Sequence, residues 1–210
     1  MSKAICIHEY GGPEVLRWED VAVGEPGPGQ LRIRHAAVGL NYIDIYHRIG
    51  LYPLPSLPWT LGMEGAGRVE AVGASVTEFQ VGDRVAYASP PVGAYAEVRL
   101  IPADRVVALP ETIDDQTAAA MMLQGMTAQY LLRRTYRVQP GDAILLHAAA
   151  GGVGLIVSQW AQQLGALVIG TVGSDEKAEI ARAHGCHHAI VYSRENFVDR
   201  VREIDRKSVV

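Results

Sequence analysis

The sequence predicts an α/β chain with a β-rich domain: a strand-rich N-terminal region, then a doubly wound nucleotide-binding unit. Three observations carry this. Residues 141–165, GDAILLHAAAGGVGLIVSQWAQQLG, read as a strand, a small-residue turn and a helix stopped by Gly165. A second short apolar strand, Leu167 to Val172, follows directly. Residues 3–101 instead alternate short strands with Gly/Pro turns, the pattern of a barrel or a sandwich.

Taken in order, the first region offers strands at Ala4 to Ile7, Gln30 to Val38, Gly67 to Val72, Arg84 to Ala88 and Ala94 to Ile101. Turns at Gly11-Gly12-Pro13, Gly24 to Gly29, Val81-Gly82-Asp83 and Ser89-Pro90-Pro91 punctuate them. Ile43 to Ile49 suits a short helix. Thr117 to Leu132 has helical composition and joins this region to the nucleotide unit. There, strand Ala143 to Leu146 leads through the small residues Ala148 to Gly154 into a helix over Leu155 to Leu164. A second helix over Ser174 to His184, a third strand over Ala189 to Tyr192 and a third helix over Glu195 to Ile204 complete the reading. The domains are expected to be residues 1–124 and 125–210.

The turn residues have a chemical reason. A pyrophosphate must approach backbone N–H groups at a helix N-terminus, where the helix dipole favours negative charge, and a Cβ in its path would hold it off. The fingerprint G-x-G-x-x-G is met as Ala149-x-Gly151-x-x-Gly154, with alanine in the first slot. The second strand ends at Gly173, about 20 residues past the loop, where ribose recognition is expected.

Composition narrows the classes. The chain has 210 residues, a net charge of −4 and no apolar run near the length of a membrane span. Mild acidity gives no support for nucleic-acid binding. Two cysteines, Cys6 and Cys186, are too few for a disulfide scaffold or a four-cysteine zinc site. The N-terminus MSKAICIHEY lacks a signal-peptide core, so a cytoplasmic setting is expected. No G-x-S-x-G motif supports a serine nucleophile.

Over residues 3–204 the chain resembles the medium-chain dehydrogenases/reductases of the zinc-independent quinone oxidoreductase (zeta-crystallin-like) group. The shared segments are Gly39-Leu-Asn41-Tyr-Ile-Asp44, Arg48-Ile-Gly50-Leu-Tyr52-Pro53, Leu61-Gly-Met-Glu64-Gly-Ala-Gly67 and Gly82-Asp83-Arg84-Val85, with the glycine loop, Gln159, and Gly173-Ser174 with Lys177. Gln162 stands where the family has a basic or small polar residue. The resemblance implies a GroES-like β-barrel domain followed by a Rossmann domain, with the active site in the cleft between them. It implies an NADPH-dependent quinone reductase, homodimeric at full length, with quinone or enone as the small-molecule substrate. Two alternatives stay open: an NADPH-dependent enone or alkenal reductase, and a non-catalytic, crystallin-like NADPH-binding protein.

Zinc-dependent relatives carry cysteine where this chain has Asn41 and histidine where it has Met63, and neither replacement is a usual zinc ligand. Glu64 alone is not a site, and His8, His35, His47, His147, His187 and His188 read as surface or core residues, so no metal is expected. Without zinc, hydride transfer remains open to a quinone or activated enone, which is already electrophilic. The resemblance places Asn41, Tyr46 and Tyr52 near the nicotinamide as the catalytic set, with Tyr52 able to bond a substrate oxygen and Tyr46 to pack on the ring. Tyr42, Ile43 and Asp44 match a segment that touches the cofactor. Thr127 and Tyr130 match positions near its nicotinamide half. Gly151, Gly152, Val153 and Gly154 form the phosphate loop.

Cofactor choice follows from the end of the second strand. NAD-binding units place a carboxylate there for the ribose 2′-hydroxyl. Here Gly173 and Ser174 stand in its place, with Lys177 to supply positive charge and Tyr192 beside it, which predicts NADPH over NADH. Asp175 would reverse this if it entered the pocket; at the helix N-terminus it serves the dipole. After the third helix the chain reads Asp205-Arg-Lys-Ser-Val-Val210. A doubly wound sheet expects a fourth strand beside the first. The chain is therefore expected to be a partial form that leaves Ala143 to Leu146 on a sheet edge, binds NADPH weakly and turns over little.

Overall fold

Ser2, Ala4 and Cys6 alternate inward along the first strand, and the same period of two recurs through the N-terminal half. The computed structural model describes residues 1–205. The chain divides into two compact units, Met1–Leu123 and a second beginning at Gln124. The first contains β1 (Ser2–Ile7), β2 (Arg17–Val21), β3 (Gln30–Gly39), α1 (Tyr42–Arg48), β4 (Trp59–Thr60), β5 (Glu64–Val72), β6 (Arg84–Ala88), β7 (Val98–Pro102) and β8 (Val107–Ala108). These strands form an antiparallel sheet of order β7-β3-β5-β6-β8 and a smaller one of order β2-β1-β4. Leu31, Ile33, Val69, Val85, Tyr87 and Ile101 fill the main core.

The expected barrel does not close among the described residues: the larger sheet runs in linear order with β7 and β8 at its ends. Two register shifts between β3 and β5, at Arg32/Ile33 and His35/Ala37, curve the ladder without closing it. An isolated bridge, Ala4 to Ala96, joins β1 to the stretch just before β7. The strand expected over Ala94 to Ile101 starts only at Val98. Gly93, at φ +148°, and Ala94 both donate to the Gly62 carbonyl and Tyr95 donates to Leu61, while the Tyr95 carbonyl and Glu97 N–H bond to Ile5 and Lys3 of β1, so this stretch is held by a loop and β1 before β7 begins. β5 begins at Glu64, three residues before the expected start.

α2 (Asp115–Tyr130) crosses the boundary at residues 123 and 124 and continues into a π-helical turn, Leu131–Thr135. It starts earlier than expected because Asp114 accepts from the backbone N–H of Thr117 at 2.7 Å and from its hydroxyl at 2.9 Å. In the second unit follow β9 (Ala143–Leu146), α3 (Gly152–Gln163), β10 (Leu167–Val172), α4 (Asp175–Ala183), β11 (His188–Val191) and α5 (Phe197–Ile204). The three strands are parallel, in the order β11-β10-β9. Successive β10 residues face opposite ways. Val168 and Val172 pack with Val157, Ala161, Ala178 and Ala181 of α3 and α4, while Ile169 packs with Ile190 and Val201 of α5. Helices therefore cover both faces, as a parallel sheet requires. α3 begins at Gly152, not Leu155, because the glycines themselves form its first turn.

Both cysteines are free and buried, one in each unit. Cys6 Sγ lies 3.3 Å from Thr60 Oγ1, and Cys186 Sγ lies 3.3 Å from the His188 carbonyl; burial raises both thiols above their ordinary pKa. Among the described residues no helix is long and apolar enough to cross a membrane.

Candidate functional site

At the end of β9 the chain leaves the sheet through a tight path. Ala148 takes φ +53°, a conformation that alanine rarely adopts. Its carbonyl accepts from Gly151 at 2.8 Å, and Ala149 donates to the Thr171 carbonyl at 3.1 Å. α3 then starts with Gly151 as its N-cap and no side-chain acceptor on the first turn. The leading N–H groups of a helix have no intrahelical acceptor, so this turn offers them to an anion. Gly154 is needed for close approach: a Cβ there would collide with the Ala148 carbonyl and lie 2.7 Å from that of Ala149. A Cβ at Gly152 would strike the Gln124 carboxamide.

A cleft of about 600 Å³ opens at the C-terminal ends of the three parallel strands. Of the residues expected to hold a cofactor, Gly151, Gly173, Lys177 and Tyr192 line it. His147, Thr171 and Phe197 line it too, and the sequence reading did not single them out for this role. His147 Nδ1 lies 3.0 Å from Thr171 Oγ1, and its ring meets Phe197 edge-on at 5.3 Å. Their signal in the sequence was position alone: His147 follows β9, Thr171 sits one residue from the end of β10 and Phe197 opens α5. Tyr192 leans over Gly173, where a Cβ would lie 2.9 Å from its phenol oxygen. Ser174 caps α4, its hydroxyl accepting from Lys177 N–H at 3.3 Å. Among the described residues no carboxylate lines the cleft. Asp175 is held by Arg194 through two bonds of 2.6 Å, and that guanidinium keeps its carboxyl below the usual range. Thr127 and Tyr130 lie on the part of α2 in this unit but outside the cleft lining.

The remaining expected residues cluster on α1 of the first unit. Asn41 N–H donates to Asp44 Oδ2 at 2.9 Å, which closes the helix start. Tyr95 donates to the same oxygen at 2.7 Å; the carboxylate is buried, and its other oxygen, Oδ1, has no hydrogen-bond partner among the described residues. Burial pushes its pKa up. Tyr42, Tyr46 and Tyr52 form an edge-to-face series with centroids 5.3 and 5.4 Å apart, and Tyr42 and Tyr52 are exposed. Ile43 is half-buried. Glu64 is 1% exposed; Oε2 accepts from Asn41 Nδ2 at 2.6 Å and Oε1 from Leu123 N–H at 2.8 Å. Burial raises this carboxyl as well. Asn41 thus turns a donor toward Glu64, and Met63 is buried beside it. A zinc ion needs lone pairs from Cys, His or carboxylate, and this donor set does not fit one. A separate hollow of about 710 Å³ on β3 and β5, lined by Arg32, Arg34, His35 and Arg68, contains none of the expected residues.

Comparison with known proteins places this geometry. Residues 27–111 match the alcohol dehydrogenase GroES-like domain, and residues 152–209 match the family described as zinc-binding dehydrogenase. The chain belongs to the medium-chain dehydrogenase/reductase superfamily, in its quinone oxidoreductase group. It is 56% identical over 204 residues to a quinone oxidoreductase of Pseudomonas aeruginosa, covering 97% of this chain and 63% of that protein. It is 52% identical over 210 residues to a 2-haloacrylate reductase of Burkholderia sp., with the same coverage. The crystal structure of Escherichia coli quinone oxidoreductase complexed with NADPH superposes with a TM-score of 0.93 at 47% identity, covering 96% of this chain and 62% of that one. The chain thus spans under two thirds of the length of these relatives. Its two units correspond to a GroES-like and a Rossmann-type fold.

Proposed function

We propose that the protein carrying this chain is an NADPH-dependent quinone reductase that works without a metal. The observation that carries the reading is the cleft at the strand ends, with its uncapped glycine turn, Lys177 and Tyr192 and, among the described residues, no lining carboxylate. When bound, NADPH would supply a hydride; the protein supplies position and electrostatics. In this reading Gly151, Gly152, Val153 and Gly154 present backbone N–H groups to the pyrophosphate. Gly173 and Ser174 leave room for a 2′-phosphate, and Lys177 and Tyr192 give it a charge and a hydroxyl. Asn41, Tyr46 and Tyr52 serve the reacting end, with the Tyr52 hydroxyl donating to the quinone oxygen that gains charge. Tyr42, Ile43, Thr127 and Tyr130 contribute surface to the nicotinamide half, and Asp44 acts by holding the start of α1.

The reading assigns residues 1–124 to a GroES-like barrel domain and 125–210 to a doubly wound one, in a cytoplasmic homodimer. Support for the cofactor comes from the relative solved with NADPH. A second reading, reduction of an activated alkene, is favoured by the 2-haloacrylate reductase at 52% identity. The deciding experiment is NADPH oxidation with a panel of quinones beside enones, alkenals and 2-haloacrylates. The proposal expects higher kcat/KM for quinones; alkenes ahead by a large factor would overturn it. NADPH binding seen by fluorescence with no substrate-dependent oxidation would support a non-catalytic role.

A further inference from the structure

We propose that Arg194 sets the cofactor preference by neutralising Asp175 at the rim of the cleft; this rests on the NADPH reading above. Asp175 opens α4 directly after the capping Ser174, two residues from the cleft-lining Gly173 and Lys177. A carboxylate at the end of the second strand of such a unit suits a ribose hydroxyl and repels a 2′-phosphate. Gly173 and Ser174 replace that carboxylate, but Asp175 follows them at the start of α4 and is occupied by Arg194. Arg194 Nη1 donates to Asp175 Oδ2 and Nη2 to Oδ1, each at 2.6 Å, so both oxygens are taken in a two-pronged pairing. The arginine is held at its own root. Its N–H donates to the Val191 carbonyl at 3.1 Å at the end of β11, two residues beyond Tyr192. The pair therefore ties the start of α4 to the loop after β11, the two segments that carry Lys177 and Tyr192.

Both side chains are solvent-exposed, and exposed ion pairs add little to folding stability. A pair that contributes little to the fold, yet cancels a charge placed to oppose a phosphate, acts through electrostatics on the ligand. Arg194 is accordingly a positioning residue for charge: with both prongs on Asp175 it need not touch the phosphate.

The test is equilibrium binding of NADPH and NADH to the wild-type chain and to Arg194→Ala, Arg194→Lys, Asp175→Asn and the double variant Asp175→Asn/Arg194→Ala, read by nicotinamide fluorescence. Arg194→Ala should weaken NADPH by about five- to tenfold and leave NADH within about twofold, because the bared carboxylate opposes only the phosphate. Arg194→Lys should keep part of the preference. Asp175→Asn and the double variant should bind NADPH within about twofold of wild type, since no charge then needs cancelling. A double variant as weak as Arg194→Ala would mean that the arginine binds the phosphate itself and would overturn the proposal. So would Arg194→Ala shifting both cofactors equally, the mark of a purely structural role, or shifting neither. A wild-type chain with no preference for NADPH over NADH would instead overturn the cofactor reading, and Arg194 with it.

Discussion

Asn41 gives its carboxamide N–H to Glu64 at 2.6 Å across 23 residues of chain, and Glu64 has no exposed face. The other carboxylate oxygen is held by Leu123 N–H at the first unit's boundary. The Asn41 carboxamide and the Leu123 N–H together satisfy the buried carboxylate. Asn41→Ala should destabilise the first unit by about 1.5–3 kcal/mol, the cost of removing a hydrogen bond to a buried charged group. Urea unfolding followed in the first unit measures it; a loss within experimental error would show that Glu64 is satisfied another way.

Gly154→Ala should do more damage than any other alanine in the loop. The added methyl meets two backbone carbonyls, which cannot move aside as a flexible side chain can. A stability loss of roughly 1–3 kcal/mol is expected from this overpacking, with NADPH binding reduced because α3 is displaced from β9. Thermal melting and an NADPH titration report the two effects separately.

If Lys177 serves the 2′-phosphate as proposed, Lys177→Ala should weaken NADPH by about tenfold and leave NADH unchanged. Its backbone N–H remains free to bond Ser174, so helix α4 should keep its cap. Equal losses for the two cofactors would remove Lys177 from phosphate recognition.

The first unit should lose stability in mild acid through His35. Its Nδ1 lies 2.5 Å from the Ala96 carbonyl and its Nε2 2.6 Å from the Tyr87 hydroxyl, which also accepts from Arg99. Burial, aided by the Arg99 charge, lowers its pKa from 6.5 to about 4. The unfolded chain therefore takes up a proton below pH 6.5 that the folded chain refuses until about pH 4. Stability from this group is complete above that window and declines through it, at up to about 1.4 kcal/mol per pH unit. Asp44 and Glu64, both raised by burial, act in the opposite sense, since the folded form binds their protons more tightly. The difference between wild type and His35→Gln isolates the histidine: the variant should show a flatter acid limb.

Much of the second unit was legible because its signals are local. Four apolar residues at 143–146, a small-residue turn and a helical stripe ending at Gly165 all lie within one short segment. The start of α3 was not, since glycines that form a helical turn look the same in sequence as glycines in a loop. β2 escaped because Arg17-Trp-Glu-Asp-Val21 is a charged edge strand with little burial. β4 and β8 are two residues each, too short for any period to register. At the candidate site, Gly173 was readable from its spacing to the loop, Lys177 from its place after Ser174 and Tyr192 from the end of the third strand, and all three line the cleft. His147 and Arg194 were not readable, because each takes its meaning from a partner 24 or 19 residues away, Thr171 and Asp175. Asp44 shows another limit: the resemblance implies a cofactor contact, and its bonds to Asn41 and Tyr95 at the start of α1 could not be read from the sequence.

The placement of the two cysteines equips the chain with a pair of internal clocks. Cys6 reports on one unit and Cys186 on the other, and each thiol is shielded and kept protonated while its surroundings stay closed. Alkylation can proceed only when that surrounding opens, so the two labelling rates, resolved by peptide mass, time the opening of each half independently. Added NADPH should slow the clock at Cys186, which packs against Gly170 beneath the nucleotide loop, by more than the one at Cys6.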